Sequence, residues 1–301
     1  MREPSGAGNV STPRPLLVLV TGITGHQGGH VARALLKRGH RLRALVRDPQ
    51  SPKLKDLTPH GIEVVPGTFD DAAAVERAAR GVDAMFLMGT PFQSGPSEET
   101  RQGILAVDAA TRAGVPWLVY SSVSDADRRT GVPHFESKFA VEEHLRRSGV
   151  PFAISAPTAF MENLVSPFQL PGLRQGRLGG GTSPERSVQM VALDDLGAFA
   201  ARVLEDPARF RGKRINIASD AVTQAGVAQL ISELSGRTIE YQRIPLEALR
   251  AQSADSASMF EWFERAGYSA DIEGLRREYP DVGWQRFREW AGRVDWRGLL
   301  A

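Results

Sequence analysis

From Pro15 onward the chain alternates short apolar runs with longer stretches of helical periodicity. LLVLV (16–20) is followed by a helical pattern over about 28–38 that ends at Gly39, then RLRALV (41–46), IEVV (62–65), a helix over about 71–80 closed by Gly81, and DAMFLM (83–88). Ser97 stands where an N-cap would open a helix over Glu98 and Glu99 that runs to Gly114. The strand WLVYSS (117–122), a helix over about 135–148 closed by Gly149, and the strand PFAIS (151–155) continue the series. This rhythm predicts parallel β-α-β units. LLVLV does not alternate, which predicts a strand covered on both faces in an α/β, doubly wound parallel sheet.

After Pro157 the pattern loosens into the Gly/Pro-rich stretch 166–186, expected to be a loop or lid. Residues 187–191, 213–217 and 239–243 read as strands. Asp194 and Thr223 are placed to cap helices ending near 205 and 235, and 257–296 holds several short helices rich in aromatics. The expected organisation is a disordered leader over 1–14, a doubly wound domain of Rossmann type over 15–156, and a small mixed α/β C-terminal lobe over 157–301 that is partly interleaved with it. Residues 1–14, with Pro4, Gly6, Gly8 and Pro13, have too little apolar periodicity to recover their ordering entropy.

Composition narrows the chemistry. The 301 residues include no cysteine, which removes thiolate catalysis, Cys-ligated metals and disulfides. Redox chemistry would have to come from a bound cofactor. With 37 basic against 35 acidic residues the net charge of +2 gives no electrostatic footprint for nucleic acid. The apolar run 16–20 is too short to cross a bilayer or to form a signal-peptide core. The location expected is cytoplasmic, with neither nucleic acid nor membrane as partner.

Directly after the first strand comes TGITGHQGGH, in which Gly22, Gly25 and Gly28 form G-x-x-G-x-x-G ahead of a helix. Glycine permits the tight turn and lets backbone approach a pyrophosphate, while the helix N-terminus offers unpaired N–H groups. The plainer alternative is a tight strand-to-helix turn. The second strand ends at Arg47, where NAD enzymes usually place a carboxylate. A guanidinium there suits the 2′-phosphate of NADP, so NADP(H) is preferred, while Asp48 keeps NAD(H) possible. Arg47 as an ordinary surface arginine is the alternative. Lys53 and Arg43 add positive charge nearby, although Arg43 shares strand parity with Arg47 and is open to a purely solvated role. Gly67-Thr68-Phe69 and Met88-Gly89-Thr90 follow the third and fourth strands. They are candidates to flank adenine and the nicotinamide ribose, or turns without contact.

The fifth strand delivers Tyr120-Ser121-Ser122 to the same edge, and HFESKFAVEEHL follows. His134 and Lys138, four apart, share a helix face. In a reductase such a lysine holds the cofactor ribose while its neighbour gives a proton to a carbonyl, with Ser121 or Ser122 assisting the oxygen. The alternatives are a surface Lys138 paired with Glu142 and a His134 that merely starts the helix. Phe92, Phe160, Phe168, Trp262 and Phe263 are candidates for an apolar acceptor pocket, though the stripe Met259, Phe260, Trp262 and Phe263 fits core packing better. Asp70-Asp71, Asp125 with Asp127, and Asp194-Asp195 stand beside expected helix starts and are read as caps; His26, His30 and His40 lack metal-site spacing. No metal is expected.

The glycine triplet, Arg47, Tyr120-Ser121-Ser122, H-x-x-x-K at 134–138, VEEHLRRSGVPF and PTAFMEN together resemble the NmrA-like branch of the atypical short-chain dehydrogenases. The likeness runs over most of 15–300. It implies an NADP(H)-binding fold in which Gly22, Thr24, Gly25, Gln27 and Gly28 form the phosphate loop and Arg47 the 2′-phosphate clamp. It also implies Lys138 as the nicotinamide-ribose lysine and Pro157, Thr158 and Phe160 as the wall beside the nicotinamide. Three positions depart from the pattern: His134 replaces the tyrosine of Y-x-x-x-K, Thr68 an aspartate near adenine, and Ala156 an arginine. The activity implied is NADPH-dependent hydride transfer to a small quinone-like or carbonyl acceptor. The alternative is a non-catalytic redox sensor bound to a regulatory protein partner, in either case as a monomer or homodimer.

Overall fold

The computed structural model describes residues 14–55 and 57–301. The expected leader therefore lies outside the described residues, apart from Arg14. Strands β1 (Leu17–Thr21), β2 (Arg41–Val46), β3 (Glu63–Pro66), β4 (Ala84–Met88), β5 (Leu118–Ser121) and β6 (Phe152–Pro157), with the strand Arg214–Ile217, form one parallel sheet. Its order is β3-β2-β1-β4-β5-β6 followed by Arg214–Ile217, so the chain reverses direction across the sheet between β1 and β4. Ligands of such sheets sit at the carboxyl edge of that switch point.

Side chains on a strand alternate between faces. Val18 and Val20 pack with Leu42, Phe86 and Val119 into a core on one face. Leu17 and Leu19 pack with Met85, Leu87 and Tyr120 on the other. All five residues of β1 are buried, which is why LLVLV shows no alternation. The first face is covered by α1 (His26–Lys37) and the helix Leu193–Glu205; α2 (Ala72–Ala79), α3 (Pro96–Arg112) and α4 (Pro133–Arg147) belong to the second. Glycines set the close approaches. A Cβ on Gly197 would lie 2.7 Å from the His30 carbonyl oxygen of α1, and one on Gly103 of α3 would lie 2.5 Å from Val141 of α4.

Several local expectations are corrected. The cap of α3 is Gly95, at φ +88°, with Pro96 in the first turn, so Ser97 lies inside the helix. Asp71 and Thr223 do cap, accepting from Ala74 N and Gly226 N. Asp194 does not, because Ala192 is the cap; its carboxylate reaches His30 Nδ1 at 2.7 Å instead. Asp70 pairs with Arg101. Asp125 and Asp195 are buried ties rather than caps. Asp125 accepts from Ser269, and Asp195 from Ser219 and Gln285.

The stretch 166–186 is not a loose lid. It holds the helix Leu170–Arg174 and the strand Arg177–Gly180, which pairs in parallel with Glu240–Arg243. Its glycines serve packing: a Cβ on Gly180 would meet Tyr241 Oη at 2.7 Å, and one on Gly181 would meet Phe260 at 2.6 Å. A second small sheet joins Asp220–Thr223, Ser187–Val191 and Ala159–Phe160. Trp262 and Phe263 are buried against Phe135 and Tyr268, so packing prevails there over a pocket lining. Phe160 also packs on a core, whereas Phe92 and Phe168 remain 83% exposed.

Candidate functional site

β1 ends in the glycine loop, and each glycine has a separate steric reason. Gly22 adopts φ +65°, in the left-handed region that glycine tolerates, and a Cβ there would meet Met88 Sδ at 2.3 Å. Gly28, inside α1, is pressed against the turn: its Cβ would lie 2.3 Å from Gly22 O, 2.5 Å from Gly22 C and 2.7 Å from Thr21 O. Gly25 caps α1 without a side chain, and the first amide to bond back into the helix is Gly29, to Gly25 O at 3.0 Å. The amides of His26, Gln27 and Gly28 thus precede the helix ladder at the positive end of its dipole. No acidic side chain occupies this first turn. Thr24 flanks the loop, half-buried.

Hydrogen bonds join this corner to β4 and β5. Met88 N donates to Thr21 Oγ1 at 2.9 Å, and Ser121 Oγ donates to Gln27 Oε1 at 2.6 Å. At the end of β2, Arg47 is exposed and makes no hydrogen bond or ion pair among the described residues. Lys53 is likewise exposed, in the turn Pro52–Leu54. Arg43 is excluded from such a role. Its guanidinium bonds Glu63 at 2.8 Å and the Ala78 and Arg80 carbonyls at 2.9 and 2.6 Å, satisfying the C-terminal end of α2.

Lys138 is buried, not a surface lysine, and its partner is not Glu142. Nζ lies 2.6 Å from Glu99 Oε1, and Ser137 Oγ donates to Glu99 Oε2 at 2.6 Å; both carboxylate oxygens are engaged in a side chain with no exposure. The same ammonium is 3.4 Å from the Gly89 carbonyl, at the carboxyl edge next to β4. Glu142 is committed elsewhere: it accepts from Ser122 and from Arg146 and Arg214. Ser122 is thereby tied into a buried ionic cluster, while Ser121 remains at the loop. Tyr120 is buried, and burial together with the charges of Glu99 and Glu142 pushes its phenol well above its ordinary range, so it stays protonated.

His134 is mostly buried one turn before Lys138, and its Nδ1 lies 2.7 and 2.9 Å from the oxygens of Asp255. Burial pushes the Asp255 carboxyl up, but the hydrogen bond, charge and amide of His134 together hold it below the usual range. The remaining candidates are placed at the edge with local duties. Thr68 Oγ1 accepts from Asp70 N at 3.2 Å, Phe69 packs on the second core, and Thr90 Oγ1 accepts from Phe92 N at 3.4 Å. Pro157 ends β6, and Thr158 bonds Ile217 O through N at 3.0 Å and Oγ1 at 3.3 Å. The structure thus gathers Gly22, Gln27, Gly89, Ser121 and Lys138 at one sheet edge and removes Ser122 and Arg43. Among the described residues no cluster of His, Asp or Glu is arranged for a metal.

Sequence reading missed Glu99 as a partner and Asp255 altogether. Glu99 read as a first-turn acid, and only the α3–α4 packing turns it inward. Asp255 is 121 residues from its partner, a separation no motif spacing reveals.

The NmrA-like family pattern matches residues 16–291. A curated relative from Streptomyces griseus, (4-alkanoyl-5-oxo-2,5-dihydrofuran-3-yl)methyl phosphate reductase, is 28% identical over 287 residues, covering 91% of this chain and 96% of the relative. The NADPH-dependent quinone oxidoreductase of Escherichia coli, solved with NADPH, superposes with a TM-score of 0.78 at 24% identity, covering 92% of this chain and 98% of that one. Nmra, a negative transcriptional regulator solved with NAD, gives a TM-score of 0.78 at 21% identity, covering 93% and 95%. With the family pattern spanning nearly the whole chain, over the parallel sheet and glycine corner just described, this protein belongs to the NmrA-like family.

Proposed function

We propose that this chain is an NADP(H)-dependent oxidoreductase acting on a small quinone-like or carbonyl acceptor. The observation that carries the reading is the seat made by Gly22 and Gly28, closed against backbone on one side and leaving three helix amides ahead of the ladder on the other. Those amides suit a pyrophosphate, and the unpartnered Arg47 suits the 2′-phosphate at the far end of the adenosine. A bound nicotinamide nucleotide would supply the hydride. The chain's own residues would do the rest: Lys138, held under Gly89 by Glu99, presents its ammonium to the ribose side, and His134 manages the proton of the acceptor oxygen. Because Glu99 compensates the charge of Lys138, the lysine acts chiefly as a hydrogen-bond donor. The reductases among the relatives support the reading.

A second reading, a protein that binds nucleotide without turnover, is favoured by one feature: the Lys138 ammonium is already neutralised by the buried carboxylate of Glu99. In that case nucleotide state would alter binding of a regulatory protein; Nmra, of similar fold, is a negative transcriptional regulator solved with NAD. Purified protein mixed with NADPH and a panel of quinones and carbonyls, followed by loss of nicotinamide absorbance, separates the two. Turnover with any acceptor supports the reductase. Absence of turnover across the panel, with nucleotide-dependent partner association, supports the sensor.

A further inference from the structure

We infer that Asp255 is a positioning residue for His134, fixing the imidazole proton on Nδ1 and leaving Nε2 as the nitrogen that meets the acceptor; this rests on the role proposed for His134. Helix α4 opens at Val132 without a side-chain cap of its own. The missing cap comes from far along the chain: Asp255, in the first turn of the helix Ala254–Arg265, accepts the amide of His134 at 3.0 Å through Oδ1. The same carboxylate faces Nδ1 through both oxygens, at 2.9 and 2.7 Å. An ionised carboxylate has no proton to give, so the shared hydrogen resides on Nδ1. The depressed carboxyl of Asp255 agrees with its staying ionised.

Nε2 makes no hydrogen bond among the described residues, and it is not one of their sealed, unpartnered polar atoms. It therefore keeps access to solvent, and the exposed ring of Phe92, from the loop after β4, lies 6.1 Å from the imidazole centroid. Other charge nearby is committed: Lys138, one turn along α4, is bound by Glu99 of α3. Among the described residues Asp255 is the one charged side chain bonded to the imidazole.

The arrangement dictates the direction of proton traffic. Neutral His134 carries a lone pair at Nε2 and takes a proton from a hydroxyl. In the reductive direction it donates only as imidazolium: one proton passes from Nε2 to the acceptor oxygen, the matching hydride being what a bound reduced nicotinamide nucleotide would supply, and the Nδ1 proton stays with Asp255.

The test is two-bond 1H–15N spectroscopy of the 15N-histidine-labelled full chain at a pH where imidazole is neutral, with His134 assigned by the signal lost in His134→Gln. The expected spectrum has a protonated Nδ1 and a bare Nε2. Asp255→Ala should move the proton toward Nε2, and Asp255→Glu should restore the original pattern. A wild-type His134 protonated at Nε2 would overturn the inference, and so would an Asp255→Ala pattern identical to wild type. On the activity side, Asp255→Ala should lower kcat for a carbonyl or quinone, by less than the roughly 10²–10⁴-fold of losing the acid itself, leave the KM for NADPH unchanged, and be partly rescued by glutamate. Protein that shows the expected tautomer but reduces no acceptor keeps Asp255 as the residue that sets the imidazole proton and removes the reductase reading. Turnover with the proton on Nε2 removes this inference alone.

Discussion

Replacing Gly28 by alanine adds a single methyl group at the tightest point of the nucleotide seat. That methyl would lie 2.3 Å from Gly22 O, about 1 Å nearer than the 3.4 Å at which ordinary contact begins, with Gly22 C and Thr21 O also inside 3 Å. All three atoms are backbone, so no rotamer relieves the clash, and α1 must lift. Its freedom to do so is limited, because Gly197 of the helix Leu193–Glu205 already lies so close to α1 that its own Cβ would be 2.7 Å from His30 O. Overpacking between two such rigid walls costs about 1–3 kcal/mol of stability, against which alanine's helix propensity returns about 1 kcal/mol. Moving the N-terminus of α1 away from the anion forfeits a dipole interaction of about 0.3–1 kcal/mol, roughly a two- to fivefold rise in Kd for either nucleotide. Thermal melting and fluorescence titration with NADPH and NADH measure the two effects. Gly29→Ala, one residue on, is the control: its closest backbone atom, Ile23 O, would be 3.3 Å away, so the change should be mild. A Gly28→Ala protein that matches wild type in both melting and nucleotide affinity would refute the seat.

Four further outcomes are expected. Arg47→Asp should weaken NADPH by about 1.5–3 kcal/mol and NADH far less; equal losses in parallel titrations would remove Arg47 from 2′-phosphate recognition. Glu99→Gln leaves the Lys138 ammonium buried without its counter-charge and should cost about 3–5 kcal/mol in denaturant unfolding, an unchanged midpoint contradicting the buried pair. His134→Phe should leave NADPH affinity intact and slow carbonyl reduction, by up to about 10²–10⁴-fold for a lost general acid; an unchanged rate would retire it as the proton donor. Asp194 is held below the usual carboxylate range chiefly by the hydrogen bond from His30. Its contribution should be fully present above the unfolded value of about 3.9 and lost as pH falls through the lower folded value. Asp194→Asn should accordingly melt slightly lower than wild type at neutral pH and converge with it in acid, and a gap that widened below pH 4 would reverse that assignment.

The sheet was legible because its signals are local. LLVLV announces a strand buried on two faces, and the helices between strands end at Gly39, Gly81, Gly114 and Gly149, each at positive φ. The glycine corner was legible for the same reason, since a turn, a close approach and a helix start fall within seven residues. What escaped reading is long-range. Gly179, Gly180 and Gly181 look like a flexible tract, yet they are small because Ile244, Tyr241 and Phe260 fill the space beside them. Ser97 was a poorer cap than Gly95 because Pro96 already occupied the first helical position. For Lys138, the alternative of a surface lysine paired with Glu142 at i+4 fails because Glu142 is drawn away by Arg214 and Arg146. The true partner, Glu99, comes from α3, and that of His134 from the far end of the chain.

Calorimetric titration of the purified chain with NADPH and NADH addresses the nucleotide seat most directly. Saturable heat at one site per chain, with NADPH binding tighter than NADH, is the expected result. No heat with either nucleotide, and no displacement of one by the other, would contradict it.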